Sequence, residues 1–136
     1  MKNLMIISFF MAMFSVTNSQ NATVVGTWNI VEFTMTNENN VNKMTEDALI
    51  ENKSIWDLNL MENGSLTQTS NMRTGETETQ EGSWKTDAEN LILTLKINDK
   101  DIHIEYGYEL SGDNLTLKRI NPMGTMIIET KFRKKT

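Results

Sequence analysis

The chain has no cysteine, a single histidine and a single proline among its 136 residues. Without cysteine there can be no disulfide framework, no thiol nucleophile and no zinc site built on thiolates. One histidine excludes a metal centre with several imidazole ligands. Lysine and arginine number 13 against 18 acidic residues. This balance argues against nucleic acid as a partner, because binding phosphate requires basic side chains.

The sequence also lacks the motifs of common catalytic sites. No serine, histidine and aspartate occur with the flanking residues of a hydrolase, and no glycine-rich phosphate loop precedes a helix. The alternation of apolar and polar residues places the lone His103 on the outer face of a strand. We therefore expect no enzymatic activity, no cofactor and no metal site.

The N-terminal segment has the pattern of a secretory signal peptide. Lys2 precedes the run Leu4–Val16, in which 11 of 13 residues are apolar. The run is shorter than the roughly 20 apolar residues that a membrane-spanning helix needs, so we expect no membrane span. A buried N-terminal helix is the alternative. With cleavage before Gln20, residues 1–19 are the signal peptide and residues 20–136 form one domain, secreted or periplasmic and monomeric.

Apolar and polar residues alternate along most of the remaining chain, which is the pattern of half-buried β-strands. Turn residues separate these runs. Asn63-Gly64 is the strongest hairpin signal, because both residues accept positive φ at little cost. The pattern predicts an all-β domain with eight strands: Thr27–Met35, Ser54–Met61, Ser65–Met72, Thr77–Lys85, Leu91–Ile97, Ile102–Leu110, Asn114–Ile120 and Thr125–Arg133.

Most of the predicted connections are short, so neighbouring strands should pair antiparallel as a meander. Eight strands in this order would leave two exposed edges unless the sheet closes. We therefore predict an eight-stranded antiparallel up-and-down β-barrel. In the first strand Trp28 and Ile30 share one face, whereas Val31 and Phe33 share the other. A β-bulge near Ile30 or Val31 would bring both sets to the inside.

The connection from Thr36 to Lys53 is the exception, because its length is unusual within a compact domain and such loops are often functional. Met44, Ala48 and Leu49 lie at helical spacing within it, and Thr45 is placed to cap a short helical turn. Two interpretations remain open for this connection. It is either a lid over one mouth of the barrel or a plug that completes the core.

Gly26 and Trp28, at the start of the first strand, resemble the G-x-W signature of lipocalins. The run at residues 82–85 and the strands after it are similar to those of small secreted lipocalin-like proteins of Bacteroidetes, which are calycin-type barrels. The resemblance covers nearly all of residues 20–136. It implies that Trp28 closes the base of the barrel and that an arginine of the last strand packs across it. Arg133 is the candidate for that arginine, and Arg119 is the second choice.

Four aromatic residues indicate the candidate binding site, because all of them fall on inward faces of the predicted barrel: Trp56, Trp84, Tyr106 and Tyr108. Eight-stranded barrels are either filled by their own side chains or hold one small ligand. In a filled barrel, Gln68, Thr79 or water would satisfy the polar atoms of these rings.

The leading hypothesis is a secreted binding protein that holds a small apolar or amphipathic molecule in the barrel. The predicted ligand-binding residues are the four aromatic residues and two residues of the long connection: Trp56, Trp84, Tyr106, Tyr108, Met44 and Leu49. The alternative is a protein-interaction or inhibitor module, whose barrel is filled and whose surface engages a protein partner.

Overall fold

The computed structural model describes residues 24–121 and 123–135. The predicted signal peptide, residues 1–19, lies outside the described residues, as does Pro122. Within the described ranges, no helix has the length and apolar character to cross a bilayer.

Nine strands and one short helix are present in these two ranges. The helix α1 (Glu46–Glu51) lies between the second and third strands of the chain. The strands are β1 (Gly26–Thr36), β2 (Val41–Met44), β3 (Trp56–Leu60), β4 (Ser65–Ser70), β5 (Glu78–Asp87), β6 (Asn90–Ile97), β7 (Lys100–Ser111), β8 (Asn114–Ile120) and β9 (Ile127–Lys134).

The strands form one antiparallel sheet that closes on itself. Consecutive strands from β3 to β9 pair with each other, β1 pairs with β3, and β9 returns to pair with β1. β1 and β3–β9 therefore make up an eight-stranded antiparallel barrel, and the predicted fold class is confirmed. β2 is added beside the second half of β1, where Phe33 lies opposite Met44 and Thr36 opposite Val41.

β2 is the strand that the sequence pattern did not predict. It lies inside the expected Thr36–Lys53 loop, and its four residues are too few to show a clear alternation. A tight turn, in which the Asn37 N–H donates to the carbonyl oxygen of Asn40 at 2.9 Å, brings β2 beside β1. Because β3 pairs only with the first four residues of β1, β2 provides partners for backbone groups that would otherwise be free.

β1 contains the predicted bulge. Its register with β9 shifts between Ile30 and Glu32, which leaves one extra residue in β1. Ile30 lies opposite Phe132, and Phe33 lies opposite Thr130, and both partners are buried. The bulge therefore brings Ile30 and Phe33 to the same inner side, although three positions separate them.

Glu32, on the outer face beside the bulge, joins three strands. Its carboxylate lies 2.8 Å from Nζ of Lys43 in β2 and 3.7 Å from Nζ of Lys131 in β9. The hydrogen bond from Lys43 holds the pKa of the Glu32 carboxyl below its ordinary value. These ion pairs tie β2 to the barrel wall through Glu32, and because they are exposed to solvent each is weak.

α1 begins as predicted, because Thr45 Oγ1 accepts a hydrogen bond from the Ala48 N–H at 3.3 Å. Leu49 is the buried residue of the helix and does not belong to the main core cluster. In the first turn, Glu46 pairs at 3.0 Å with Arg133, which is exposed on the outer face of β9. The helix therefore lies against the barrel wall, which differs from both predicted positions, a lid over the mouth and a plug in the core.

The buried core lies towards one end of the barrel. This closed end carries Gly26 and the turns at residues 61–64, 88–89 and 112–113, whereas the open end carries the connections at residues 37–40, 71–77, 98–99 and 121–126. Each fully buried leucine stabilises the fold by about 2 kcal/mol relative to an exposed one. The side chains of the core are Val24, Trp28, Leu58, Leu60, Leu66, Leu91, Leu93, Leu95, Tyr106, Leu115, Leu117 and Phe132.

β5 comes unusually close to β6 at Gly82. A Cβ atom there would lie 1.8 Å from the backbone oxygen of Thr94, which is far inside any permitted contact. Gly82 lies opposite Leu95 in the last pair of β5 and β6 towards the open end. Residues 78–81 of β5 pair with β4 alone. Glycine therefore permits the close approach at the point where β5 and β6 separate.

Replacing Gly82 by alanine should destabilise the barrel strongly, because the new methyl group would force two backbone segments apart. We expect Gly82→Ala to lose about 3 kcal/mol of unfolding free energy, measured by urea denaturation. Gly107→Ala is the matched control, since a Cβ there would lie at an ordinary 3.7 Å from the backbone oxygen of Lys118. Its change should stay within about 1 kcal/mol. Equal losses in the two variants would contradict the close approach at Gly82.

Candidate ligand-binding site

Trp28 is fully buried at the closed end, where its Nε1 donates to the carbonyl oxygen of Val24 at 3.0 Å. Lys134 is its cross-strand partner on β9. The ammonium group of Lys134 lies over the indole ring, 5.6 Å from the ring centroid. An attraction of this kind contributes about 0.5–1 kcal/mol when the cation is exposed. A tryptophan–lysine pair therefore closes this end of the barrel.

Arg133 does not occupy the place predicted for it. Successive residues of a strand point to opposite faces, so Arg133 faces outward when Lys134 lies across Trp28. The guanidinium of Arg133 instead pairs with Glu46. The predicted contact between Arg133 and Trp28 is therefore wrong, and a lysine one position later supplies the cation.

Gly26 makes room for this lysine. A Cβ atom at Gly26 would lie 2.6 Å from Cε of Lys134. The φ of Gly26 is +150°, a value that side-chain-bearing residues rarely adopt. The spacing of Gly26 and Trp28 thus has a physical reason, because the glycine leaves the path along which Lys134 reaches the ring.

The inner face changes character towards the open end. Most inward side chains at the closed end are almost wholly buried. Towards the open end, water reaches the inner face, because a set of side chains points inward and is still only half-buried. This set is Phe33, Met35, Met44, Trp56, Gln68, Gln80 and Ile104. The open half of the barrel, defined by these residues, is the candidate ligand-binding site.

One wall of the open half carries a chain of hydrogen bonds. Trp56 Nε1 donates to Gln68 Oε1 at 2.9 Å, and Gln68 Nε2 donates to Gln80 Oε1 at 3.1 Å. Gln80 Nε2 donates in turn to a carboxylate oxygen of Glu78 at 3.4 Å. Arg73 donates to the same carboxylate at 2.8 Å. The predicted partner of an aromatic ring, Gln68, is confirmed, and its amide belongs to a polar wall.

The next part of the wall, formed by β6 and β7, is apolar at the open half. The β6–β7 hairpin presents Ile97 and Ile104 as half-buried side chains, and Ile102 near its tip is 39% exposed. Across β1, Trp56 of β3 packs edge-to-face against Phe132 of β9, with the ring centroids 5.2 Å apart. An apolar surface facing a few placed polar groups is the usual composition of a small-molecule site.

Tyr106 and Arg119 form a second polar position on the inner face. Tyr106 is 5% exposed, and the guanidinium carbon of Arg119 lies 6.0 Å from its ring centroid. Burial raises the pKa of Tyr106, and the positive charge of Arg119 acts in the opposite direction. The phenol therefore stays protonated at neutral pH and keeps its hydrogen-bond donor.

Three of the six predicted ligand-binding residues lie in or beside the open half. Trp56 and Met44 line it directly, from β3 and β2. Tyr106 belongs to the buried core and lies beside the open half, because it follows Ile104 on the inner face of β7.

The other three predicted residues lie elsewhere. Trp84 and Tyr108 pack against the core towards the closed end, where Trp84 Nε1 donates to the carbonyl oxygen of Met61 at 2.8 Å. Leu49 is buried on α1, apart from the main core. The structure therefore divides the predicted residues between the open half and the supporting scaffold.

Gln80 and Glu78 were not predicted as site residues, although the sequence contains a signal for them. Both share an inward alternation with Gly82, so polar side chains occupy positions where a filled barrel would need apolar ones. Thr79, the other predicted partner of an aromatic ring, faces outward, and its hydroxyl lies 3.2 Å from that of Thr69.

Similar solved structures identify the fold. The crystal structure of a lipocalin-like protein from Bacteroides uniformis is similar to this chain with a TM-score of 0.56 and 17% sequence identity, covering 82% of this chain and 97% of that one. The fold is lipocalin-like. An uncharacterized protein from Bacteroides eggerthii is similar with a TM-score of 0.53 and 16% identity, covering 82% and 98% of the two chains. No protein-family model and no curated protein matches the chain.

The closed end of this lipocalin-like barrel can be tested with a double-mutant cycle. Gly26→Ala should lower the unfolding free energy by about 1–3 kcal/mol, because the new Cβ meets Lys134 at an unfavourable φ. Adding Lys134→Ala should recover part of that loss, with a coupling energy of about 0.5 kcal/mol or more in urea denaturation. Arg133→Ala is the control and should show no coupling to Gly26→Ala. Additive losses in both pairs would contradict the contact between Gly26 and Lys134.

Proposed function

We propose that the protein is a secreted binding protein that holds a small apolar or amphipathic molecule in the open half of its lipocalin-like barrel. The observation that carries the proposal is the division of the inner face. Leucines fill the closed end, whereas Trp56 and Gln68 face the interior of the open half and remain in contact with solvent.

The two walls of the open half suit the two parts of an amphipathic ligand. The isoleucines of the β6–β7 hairpin and the ring of Trp56 offer apolar surface, and each 100 Å² of ligand surface buried there would contribute about 2.5 kcal/mol. The amides of Gln68 and Gln80 offer donors and acceptors that can exchange one internal hydrogen bond for one to the ligand. The filled closed end limits the ligand to a short or narrow molecule.

Tryptophan fluorescence tests this proposal, because the three tryptophans lie at different places in the barrel. A bromine-labelled dodecanol quenches an indole only at contact distance. We expect it to quench Trp56 in the open half and to leave the buried Trp28 unaffected. Trp56→Phe should therefore remove most of the ligand-induced quenching.

Trp84→Phe is the matched control, since Trp84 lies towards the closed end and bonds to Met61. This variant should keep the quenching of the parent protein. If Trp56→Phe leaves saturable quenching intact, the ligand binds at a site other than the open half. If dodecanol, a fatty acid, a sterol, a retinoid and a tetrapyrrole all fail to quench or to raise the melting temperature, the alternative of a filled barrel that acts through a protein partner replaces this proposal.

Secretion rests on the N-terminal apolar run and on the basic residue before it. We expect the mature protein to begin at Gln20 when the full chain is expressed in a bacterium with a functional secretion pathway. Intact-mass measurement of the exported protein checks this. A chain that retains residues 1–19 and stays in the cytoplasm would contradict secretion.

A further inference from the structure

The barrel wall is open between β7 and β8 towards the open end. The two strands pair from Ser111↔Asn114 only as far as Gly107↔Lys118. Beyond this pair, residues 100–106 of β7 pair with β6 alone, and Arg119 and Ile120 of β8 pair with β9 alone. The wall therefore has a gap where β7 continues past the last residue that it shares with β8.

A groove of about 340 Å³ occupies this gap. Its lining comes from both faces of the sheet: Ile102, Ile104 and Arg119 belong to the inner face, and His103, Glu105 and Ile120 to the outer face. A depression confined to the outer surface would not be lined by inward side chains. The groove is therefore a lateral opening in the wall, at which side chains of the inner and outer faces meet along the free edges of β7 and β8.

Arg119 is the cation at this opening. It shares the inward alternation of Leu117, which is buried, and its guanidinium carbon lies 6.0 Å from the ring centroid of Tyr106. Four ion pairs join described residues, and Arg119 takes part in none of them. A half-buried guanidinium without a carboxylate is less well solvated than one in water, so an anion that reaches it gains a strong partner.

Apolar side chains flank the guanidinium on both strands. Ile104 and Ile102 approach it from β7, and Ile120, which is 61% exposed, follows it on β8. Glu105 lies on the outer rim, where its carboxylate disfavours an anion that remains at the surface. An amphipathic anion fits both features of this groove. Its anionic group would pair with Arg119, and its apolar part would lie along the isoleucines towards the open half.

We propose that the opening between β7 and β8 is a binding site for the anionic head group of an amphipathic molecule, and that Arg119 is the residue that pairs with it. This inference rests on the proposed function, because the apolar part of the molecule occupies the open half. Tyr106, whose phenol is protonated at neutral pH, can donate to the same head group. A carboxylate or a phosphate would suit the planar, forked donors of arginine.

The test compares ligands that differ only in their head groups, below the concentrations at which they form micelles. Dodecanoate and dodecyl phosphate represent the two anionic sources, dodecanol is neutral, and dodecylammonium is cationic. The parent protein should bind both anionic ligands at least about tenfold more tightly than dodecanol, and should bind dodecylammonium most weakly. Calorimetric titration gives the four dissociation constants. The tighter of the two anionic ligands identifies the head group.

Arg119→Gln keeps a polar side chain of similar length and removes the charge. It should weaken dodecanoate and dodecyl phosphate by about tenfold or more and leave dodecanol unchanged. Arg119→Lys should retain part of the preference for anions, which a merely structural role would not explain. Arg133→Gln is the control for charge alone, because Arg133 lies on the outer face, and it should leave all four constants unchanged.

The outcomes separate this inference from the proposed function. If dodecanol binds as tightly as dodecanoate, or if Arg119→Gln weakens all ligands equally, the head-group site is wrong and the binding function stands. If no ligand binds to the parent protein, both are overturned. A change of melting temperature in Arg119→Gln without a change in head-group preference also contradicts the proposed role of Arg119.

Discussion

The antiparallel pairing of β1 with β9 closes the barrel, and the rest of the structure depends on it. β1 pairs with β9 from Trp28 to Thr36 and changes its other neighbour from β3 to β2. The bulge between Ile30 and Glu32 allows this change, because it keeps the apolar residues of both halves of β1 on the inside. The same seam carries the pair of Trp28 and Lys134, so closure of the sheet and closure of the barrel end are one feature.

Because one end of the barrel is closed and tightly packed, the inward side chains at the other end can be packed less tightly. The close approach at Gly82 and the end of pairing at Gly107 both release the β6–β7 hairpin from its neighbours towards the open end. The strands therefore diverge there, and the inward side chains are not packed as tightly as the leucines at the closed end. One barrel thus provides both a tightly packed closed end and an accessible interior. Its open half differs from the closed end in two polar features, the polar wall and Arg119.

The sequence predicts this fold well where the apolar alternation is strong. The alternation of Leu91, Leu93 and Leu95 is enough to predict their strand. In the first strand the apolar residues change from one face to the other after Ile30, and this change predicts the bulge. β2 escapes prediction because it is four residues long and is stabilised by its pairing with β1. The choice of Arg133 as the cation that packs across Trp28 rests on a resemblance alone. The alternation that places Phe132 on the inner face of the last strand also places Lys134 on that face. The lateral opening depends on where pairing stops, and no local sequence pattern encodes that position.

We propose that the open half of the barrel holds a small amphipathic anion. Native mass spectrometry can detect such a molecule when the protein is isolated without detergent from the cells that naturally produce it. We expect a bound molecule of low mass that carries an acidic group and is released on unfolding. If the protein repeatedly shows only its own mass, and gains none when an anionic amphiphile is added, the proposal is wrong.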